Sequence, residues 1–317
     1  MIIGIDQGRL EKFVNVIRKN IESIVSVKLD LFDNKFYPGK NVDKELVYRY
    51  FIVMVAIDHR LSRPGKPYEA CIDNECFHGS DLLYRLGKLM FEQNPEFYDP
   101  VNLAEISRET VEKWLSIGEV KPPDLDIRVY LLRDLGLKLI KIYGGRVLEI
   151  FEKTMGRLRG DIVNPGLTDL LRVFRAYEDP VEKKSMLLTK FLTYRGLFKP
   201  IDTPDLPIDN HLTRIALRLG ILMVSGDLWN KIRNGIEVTG EEDLLIRFFV
   251  RRAFRIVCER AGIDPFTLDD YLWNHGRRIC VRDKPFCNKC LFKNICLGYS
   301  NEKFMVNEHF YYNTWFY

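Results

Sequence analysis

The stretch Asn274 to Cys296, NHGRRICVRDKPFCNKCLFKNIC, decides how this chain is interpreted. It contains four cysteines, Cys280, Cys287, Cys290 and Cys296, which are separated by six, two and five residues. Segments this short let four thiolates reach one small inorganic centre, and their uneven lengths prevent a single helix from presenting all four. The spacing therefore predicts a metal centre.

Zinc and an iron–sulfur cluster are the two candidates for this centre. Four clustered cysteines more often hold a structural zinc ion when spacing is the sole criterion. Zinc ribbons, however, favour two CxxC pairs, whereas this stretch has one CxxC between longer segments. That pattern suits the wider spread of the four iron corners in a [4Fe-4S] cube, so we expect a [4Fe-4S] cluster.

The same stretch resembles the iron–sulfur loop of the endonuclease III and MutY family of DNA glycosylases. That family has HGR, then a cysteine, then Pro-Cys, then two further cysteines. The matching residues here are His275-Gly276-Arg277, Cys280, Pro285 and Cys287 with Phe286 between them, Cys290 and Cys296. The resemblance implies a mainly α-helical bundle of the helix-hairpin-helix (HhH-GPD) glycosylase type with a C-terminal [4Fe-4S] cluster loop held by these cysteines.

A catalytic aspartate is implied by the stretch Pro207-Ile208-Asp209-Asn210-His211, which resembles the V-D-x-H segment of these glycosylases. Breaking an N-glycosidic bond develops positive charge on the sugar, and a fixed carboxylate stabilises that charge or activates the attacking water. Asp209 takes this place. It is equally placed to cap a helix that begins at Asn210, and both roles can hold at once.

Lys184 is the candidate for a lyase nucleophile. The stretch Tyr177 to Met186 lies where the family has the hairpin L-P-G-V-G-x-K-T-A, and Lys184-Ser185 replaces K-T. An amine there could attack the sugar C1′ and form a Schiff base if burial lowers its pKa. Adjacent lysines are also common on plain surfaces, and Lys183 or Lys190 could be the matching residue. The hairpin lacks the family's glycines and carries two carboxylates, which places duplex anchoring of the usual kind in doubt.

A second, diffuse resemblance runs from about Leu131 to Ile256. Its residues include Gly144-Gly145, the Lys184 region, Asp209-Asn210-His211, and Gly226-Asp227-Leu228-Trp229. They are similar to the queuosine salvage glycosylases, which lack the cluster and release a deazaguanine base from a small nucleotide. The sequence thus allows three functions: a base excision repair glycosylase with or without lyase activity, a small-nucleotide glycosylase, and a non-catalytic DNA-binding protein with a cluster.

Candidate contacts to the substrate base are His211, Phe77 and His78. A histidine beside a phenylalanine can bind a base by stacking and hydrogen bonding, although a lone histidine at a helix start more often has a structural role. Candidate contacts to double-stranded DNA are the arginines and lysine that gather late in the chain, which are Arg247, Arg251, Arg255, Arg277, Arg282 and Lys284. A solvated helix face is the alternative for Arg247, Arg251 and Arg255, which recur every four residues.

Composition limits the class of protein. The 317 residues are 46% apolar and 29% charged with a net charge of +4, which predicts one large or two ordinary globular domains. No secretory signal or membrane-spanning run is apparent, so the expected location is the cytoplasm and no membrane partner is expected. Seven cysteines leave Cys71, Cys76 and Cys258 beside the cluster, an odd number that argues against a disulfide framework. A monomer is expected.

The order of motifs predicts four regions: a helical region over 1–124, the glycosylase region over 125–270, the cluster loop over 271–299 and an aromatic tail over 300–317. Periodicity predicts helices over Leu10–Ile24, Leu46–Ile57, Ser107–Ile117, Arg128–Ile142, Val147–Met155 and Leu167–Tyr177. It also predicts a short strand over Val25–Phe32, a loop over Leu61–Gly79 and a helix capped by Ser80.

The tail has three interpretations. Its aromatic residues Phe304, Phe310, Trp315 and Phe316 are expected to dock on the protein's own surface. His309, Tyr312, Trp315 and Phe316 also have the spacing of a peptide that binds a sliding clamp, without the usual glutamine. Stacking on unpaired bases is the third interpretation.

Overall fold

The computed structural model describes residues 3–63 and 65–317. Met1 and Ile2 of the N-terminal stretch, and Pro64 of the predicted loop, lie outside the described residues. The described chain is mainly α-helical, as predicted. Its helices are α1 (Gln7–Lys19), α2 (Ile21–Val25), α3 (Lys44–Ala56), α4 (Ser80–Gln93), α5 (Pro100–Ala104), α6 (Arg108–Leu115), α7 (Leu125–Tyr143), α8 (Leu148–Thr154), α9 (Leu167–Leu171), α10 (Lys183–Tyr194), α11 (Asn210–Leu219), α12 (Asp227–Asn234), α13 (Gly240–Ala261), α14 (Pro265–Arg278) and α15 (Leu297–Ser300).

The strands are short and form two antiparallel pairs. They are β1 (Ile3–Ile5), β2 (Glu69–Ile72), β3 (Glu75–His78) and β4 (Leu222–Val224). Strand β1 pairs with β4, with Ile3 opposite Val224, and β2 pairs with β3, with Glu69 opposite His78.

Helix boundaries follow local signals. Asp6 precedes α1, and its carboxylate accepts the Arg9 N–H at 2.9 Å, which satisfies an N–H group that the helix itself leaves unpaired. Ser107 caps α6 in the same way, as predicted. Helix α7 ends at Gly144, which takes the left-handed conformation (φ 57°) that glycine adopts without steric cost. The predicted break at Gly144 is confirmed.

Three local predictions are wrong. Residues 25–32 form no strand, because the Asp30 carboxylate accepts the Phe32 N–H and turns the chain locally. The predicted loop 61–79 contains the β2–β3 hairpin, whose turn residues Asp73 and Asn74 both have positive φ, the conformation that a two-residue hairpin turn requires. The residue that precedes α4 is Gly79 and not Ser80, which is already helical.

The expectation about disulfides is also wrong. Cys71 and Cys76 lie opposite each other in the β2–β3 register and form a disulfide. The prediction failed because an odd number of remaining cysteines does not rule out a pair among them. Two of the three form a disulfide, and the third, Cys258, is a buried free thiol in α13. The pairing depends on the hairpin register, which cysteine counting does not include.

The described residues form two compact units that do not follow chain order. One consists of residues 3–29 and 204–314, and the other of residues 30–203 and 315–317. The four regions expected from motif order remain a prediction. No helix of the described chain combines the length and the apolarity needed to cross a bilayer.

In the first unit, α1 packs on α13, and α11 packs on both α13 and α14. Phe13 of α1 lies between Phe254 of α13 and Phe292, at ring-centre distances of 6.1 and 4.9 Å. Phe292 belongs to residues 280–296, which contain the four cysteines and are called the cysteine loop below. This aromatic cluster holds the cysteine loop against the helices. The loop therefore shares the core of α1 and α13.

In the second unit, the buried helix α3 packs against α10, and α5 crosses α7. The crossing is close at Gly136, where an added Cβ would lie 2.5 Å from the Ala104 nitrogen and 2.6 Å from the Pro100 oxygen. A glycine is required there because backbone atoms cannot move away as side chains can.

Candidate active site and cysteine loop

Asp209 sits at the start of α11. Its backbone is extended, and its carboxylate Oδ1 accepts the Leu212 N–H at 3.0 Å, while its carbonyl accepts the Thr213 hydroxyl at 2.8 Å. The predicted cap is thus confirmed. These bonds hold the carboxylate at a defined place on a partly exposed helix end, where the helix dipole favours negative charge.

His211 lies two residues further, in the first turn of α11. The Arg214 guanidinium donates to its Nδ1 at 2.9 Å. Burial lowers the pKa of His211, and Arg214 lowers it further while Asp209 opposes the shift. The neutral ring consequently carries its proton on Nε2.

Helix α14 packs directly against His211. The ring centres of Trp273 and His211 lie 6.4 Å apart with their planes nearly perpendicular, and the Arg277 guanidinium lies over Trp273 at 4.5 Å. An added Cβ on Gly276 would lie 2.7 Å from the His211 Cβ. The glycine of the HGR motif is what lets the two helices meet at this point.

Two buried arginines of α11 join this helix to the cysteine loop. Arg214 Nε donates to the Cys280 carbonyl at 2.9 Å, and its Nη1 donates to Glu308 at 2.6 Å. One turn later, Arg218 Nη1 donates to the Cys280 Sγ at 3.4 Å and to the Val281 carbonyl at 2.7 Å. The first residues of the loop are therefore anchored on the helix that begins at Asp209.

Glu308 forms ion pairs with Arg214 and Arg282 and so balances their charge. Burial acts to raise its pKa, but Arg214 and Arg282 outweigh burial and hold the pKa at about 2. Arg282 also donates to the same carboxylate. Glu308, which follows the cysteine loop in the chain, thus connects Arg282 of that loop to Arg214, and Arg214 in turn binds His211.

The four predicted ligands Cys280, Cys287, Cys290 and Cys296 line one cavity together with Arg218 and Lys293. Burial, together with the three neighbouring thiols, raises the pKa of the Cys290 thiol to about 12. Within residues 3–63 and 65–317, no three His, Cys, Asp or Glu side chains converge as the ligands of a single metal ion do.

His275 lies beside one of these cysteines, Cys290. Its Nε2 lies 3.4 Å from the Cys290 Sγ, and its ring packs on Phe292 at 5.1 Å. Burial lowers the pKa of His275 to about 4, so the ring is neutral at physiological pH and can donate a hydrogen bond to sulfur.

Lys184 is completely buried in α10, within the other unit. Its Nζ donates to the Ala56 carbonyl at 2.6 Å and lies 3.4 Å from the His59 Nδ1. Burial lowers the pKa of this amine well below its usual range, and the charge of Lys183 lowers it further. The neighbouring Lys183 and Lys190 are also buried.

The two carboxylates of the hairpin before α10, Asp179 and Glu182, were expected to repel a DNA phosphate, and the structure changes that expectation. Asp179 is buried, and its carboxylate accepts the backbone N–H groups of Val181 and Lys183 at 3.0 Å. Glu182 binds Arg159 at 2.8 Å and Arg172 at 3.2 Å. Both carboxylates are thus engaged inside the protein, so the expected repulsion of a phosphate is reduced. Glu182 has φ 62°, a conformation that glycine adopts more readily.

The predicted contacts to a base differ in burial and belong to different units. Phe77 is buried with its ring against Phe36 at 5.9 Å, so it packs in the core of its unit. His78 is exposed at the end of β3 and lies 3.9 Å from Glu69. His211 belongs to the other unit. His211 shares its unit and its helix end with Asp209.

The predicted phosphate contacts differ in exposure. Arg247 is 1% exposed and binds Asp243 at 3.1 Å, and Arg251 and Arg255 both approach the buried Asp205. Arg277 and Arg282 are half-buried on Trp273 and Glu308, whereas Lys284 is exposed. A buried, ion-paired arginine is not accessible to a phosphate, so Arg247 is left out of the function proposed below.

The aromatic tail docks on the protein itself, as predicted. Phe304 lies 5.2 Å from Trp229, the Arg282 guanidinium lies over Phe310 at 5.0 Å, and the Trp315 Nε1 donates to the Arg175 carbonyl at 2.9 Å. His309 is buried and 2.7 Å from Asp243. A clamp-binding peptide must be free to enter a groove on its partner, so the clamp is not part of the proposed function.

Sequence reasoning missed Arg214, Arg218 and Glu308. Arg214 and Arg218 follow His211 by three and seven residues, which places all three on one face of a helix, and this spacing is a signal that could have been used. Glu308 has no local signal, because its partners lie 26 and 94 residues away.

No protein-family model and no curated protein sequence matches this chain. Several solved structures, in contrast, are similar to this chain. The chain is similar to a non-covalent endonuclease III–DNA complex, with a TM-score of 0.50, 16% identity, and coverage of 91% of this chain and 97% of the other. It is also similar to a thermostable thymine-DNA glycosylase, with a TM-score of 0.48, 14% identity, and coverage of 92% of this chain and 97% of the other. A third similar structure is a trapped endonuclease III–DNA covalent intermediate, with a TM-score of 0.48, 15% identity, and coverage of 90% of this chain and 98% of the other. The first of these similarities shows that the fold is of the endonuclease III type.

Proposed function

We propose that this chain, which has the fold of endonuclease III, is a DNA glycosylase that removes a damaged or mispaired base from double-stranded DNA. The observation that supports this proposal is the fixed position of Asp209 at the N-terminus of α11, beside a neutral His211. Substrate recognition requires the target nucleotide to leave the base stack and enter the protein.

In the proposed reaction, the bond between base and sugar breaks and positive charge develops on the sugar ring. The Asp209 carboxylate stabilises that charge or takes a proton from the attacking water. Its hydrogen bond from the Leu212 N–H keeps it in one orientation, so little reorganisation is needed during the reaction. The Nε2–H of His211 supplies a hydrogen-bond donor next to this carboxylate.

We also propose that Cys280, Cys287, Cys290 and Cys296 hold a [4Fe-4S] cluster. Two observations support this choice: the four thiols line one cavity, and their spacing has one CxxC between longer segments. A cube with four iron corners needs thiolates further apart than zinc does. When bound, the cluster supplies a rigid cross-link, and Arg218 and His275 donate hydrogen bonds to its sulfur ligands.

Exposed lysines of the cysteine loop, above all Lys284, would then contact phosphates together with Arg277 and Arg282. This contribution is electrostatic, so binding to a duplex should weaken steeply with salt. The proposed partner is double-stranded DNA, and the proposed active form is a monomer.

Lyase activity is a second candidate activity, carried by Lys184. The lowered pKa of its amine favours the neutral form that attacks a sugar C1′. Its complete burial and its bond to the Ala56 carbonyl oppose this role, because the amine must leave that carbonyl before it can react. We therefore propose base removal as the principal activity.

The experiment is release of free base from duplexes that contain uracil, oxidised guanine or an oxidised pyrimidine, with borohydride trapping on the same duplexes and on one with an abasic site. The wild type, Asp209→Asn and Lys184→Ala are compared. Base release that is lost in Asp209→Asn supports the glycosylase. A covalent complex that is lost in Lys184→Ala adds the lyase.

Two other outcomes would contradict the proposal, and each would establish a different function. Release of base from a small nucleotide, with no release from any duplex, establishes the small-nucleotide glycosylase. Salt-sensitive duplex binding that is the same in wild type and Asp209→Asn, with no base release from any substrate, establishes a non-catalytic DNA-binding protein.

A further inference from the structure

We infer that the Cys71–Cys76 disulfide is a reversible redox site, which a dithiol reductant opens by thiol–disulfide exchange, and that residues 70–76 are ordered only while it is closed. Both cysteines are exposed, in a hairpin that the proposed function does not use. An exposed disulfide is accessible to an attacking thiolate and belongs to the labile or regulatory class. The inference does not rest on the proposed function.

The hairpin register places the two sulfurs on its solvent face. Cys71 lies opposite Cys76, one pair away from the pair that flanks the two-residue turn. Side chains alternate between the two faces of a strand, so Glu69 and His78 share the face of the disulfide, and both are exposed. Phe77 is directed to the opposite face and is buried. A thiolate can therefore reach the sulfurs without unfolding of the hairpin.

The charges around the disulfide neither repel a thiolate strongly nor hold the hairpin closed. Each of the three carboxylates within residues 69–78 has a basic partner, and these pairs are Lys35–Glu75 at 2.7 Å, Arg85–Asp73 at 3.7 Å and His78–Glu69 at 3.9 Å. With the histidine neutral, three carboxylates and two cations leave a net charge of −1, which salt screens at this surface. Exposed ion pairs also contribute little to stability.

The outer part of the hairpin has little besides the disulfide to keep it ordered. Strands β2 and β3 form a two-stranded sheet, and each is four residues long. Phe77 is buried, whereas the other residues of both strands are exposed or half-buried. A two-stranded hairpin is at best marginally stable in water. The disulfide therefore decides whether residues 70–76 keep their hairpin conformation.

The base of the hairpin is anchored without the disulfide. Tyr68, which precedes β2, is fully buried, and its hydroxyl donates to the Leu115 carbonyl at 2.8 Å. The Tyr68 carbonyl accepts the Gly79 N–H, also at 2.8 Å. The Phe77 and Phe36 rings are perpendicular, with centres 5.9 Å apart. Opening of the disulfide should hence disorder the outer part and leave the base in place.

The reaction is a two-electron exchange. A thiolate of the dithiol attacks one sulfur of the pair, the S–S bond breaks, and the other cysteine leaves as a thiolate that takes up a proton. The second thiol of the reductant loses its proton and displaces the first cysteine from the mixed disulfide. The protein gains two thiols, and the reductant becomes a disulfide. An oxidised dithiol reverses both steps.

The first experiment measures the redox equilibrium of the pair in the folded full chain. The protein is equilibrated with mixtures of reduced and oxidised dithiothreitol, quenched in acid and alkylated. The tryptic peptide 61–85, which contains these two cysteines and no other, is then analysed by mass spectrometry. The synthetic peptide 61–85 serves as the unfolded reference.

We expect complete and reversible conversion without denaturant. The ratio of reduced to oxidised dithiothreitol at half-conversion should agree within about tenfold between the full chain and the peptide, because a disulfide that orders a marginal hairpin gains little from the fold. A disulfide that is several thousandfold harder to reduce in the full chain is a structural cross-link and overturns the inference. Cysteines that stay reduced in the most oxidising mixture also overturn it.

The second experiment measures amide hydrogen exchange in the oxidised and the reduced full chain. We expect exchange of residues 70–76 to accelerate at least about tenfold on reduction. The Gly79 amide, which belongs to the anchored base, should keep its protection. Equal exchange of residues 70–76 in both states overturns the inference, and so does a loss of protection at Gly79.

Two variants complete the design. Cys71→Ser/Cys76→Ser should exchange like the reduced wild type and should not respond to dithiothreitol. Cys258→Ala, which removes the buried free thiol of α13, should respond like the wild type. A serine variant that exchanges like the oxidised wild type would show that the disulfide does not order the hairpin. A response that disappears in Cys258→Ala would assign the redox change to another thiol, and either result overturns the inference.

Discussion

The Arg214 guanidinium donates to Nδ1 of His211 at 2.9 Å, and an arginine can only donate, so Nδ1 is the acceptor and the neutral ring holds its proton on Nε2. The same guanidinium binds Glu308 and the carbonyls of Gly276 and Cys280. One side chain thus links the helix of Asp209, helix α14 and the cysteine loop. Its geometry determines what His211 can offer to a substrate.

Arg214→Lys should impair base release while the protein stays folded. A lysine keeps the charge but cannot reproduce the planar set of donors, so His211 loses its fixed tautomer. A hydrogen bond from a charged group contributes about 1.5–3 kcal/mol, which corresponds to a rate about ten- to a hundredfold lower. Nitrogen-15 NMR of His211 should show a mixture of tautomers. Arg255→Lys, which alters the Asp205 pair instead, should leave both readouts unchanged.

Asp209 has two roles that two substitutions can separate. Asn is as good a helix cap as Asp, so Asp209→Asn should keep the melting temperature and lower base release at least about a hundredfold. Asp209→Ala should lose activity to the same degree and in addition about 1 kcal/mol of stability. Base release by Asp209→Asn at the wild-type rate would remove Asp209 from the mechanism.

Gly276→Ala should destabilise the contact between α11 and α14. The added methyl group would lie 2.7 Å from the His211 Cβ, so one helix must shift. Overpacking of this kind should lower the free energy of unfolding by about 1–3 kcal/mol. Denaturant unfolding measures this loss. Gly262→Ala would be a poor control because Gly262 has a positive φ. Gly39→Ala, whose nearest contact is 3.8 Å away, should cost much less.

Substitution of a loop cysteine should remove iron and sulfide from the purified protein. We expect Cys287→Ser to lose the brown colour and the bound iron, and Cys258→Ala, which removes the buried free thiol of α13, to keep both. Iron, zinc and acid-labile sulfide are measured on each protein. Stoichiometric zinc without sulfide in the wild type would show that the loop holds zinc instead.

The Glu308 carboxylate should make the protein sensitive to acid. Its pKa is about 2 in the folded state, below the ordinary value of 4.5, so its charged form stabilises the fold above about pH 4.5. That contribution, on the order of 3 kcal/mol, is lost as pH falls from about 4.5 to about 2. Glu308→Gln should be less stable than the wild type at pH 7, and the difference should shrink in acid. A difference that is constant with pH would contradict this assignment.

Much of the local structure was predictable because it depends on residues within one or two helical turns. The cap at Asp209, the end of α7 at Gly144 and the cap of α6 at Ser107 each involve a hydrogen bond between near neighbours. The wrong predictions concern structure that depends on turn conformation or on contacts between residues far apart in the chain. The β2–β3 hairpin depends on two positive φ angles, and the Cys71–Cys76 disulfide depends on the register that follows from them.

The sequence by itself determined the helical class, the spacing of the four cysteines, and the carboxylate at the start of α11, because periodicity, short chelate segments and caps are local properties. The tertiary structure alone decided which of the candidate residues are accessible. It buries Lys184 and Arg247, exposes Lys284, and brings Glu308 to Arg214 across 94 residues. Burial and the choice of distant partners result from the packing of whole helices, and no window of neighbouring residues contains that information.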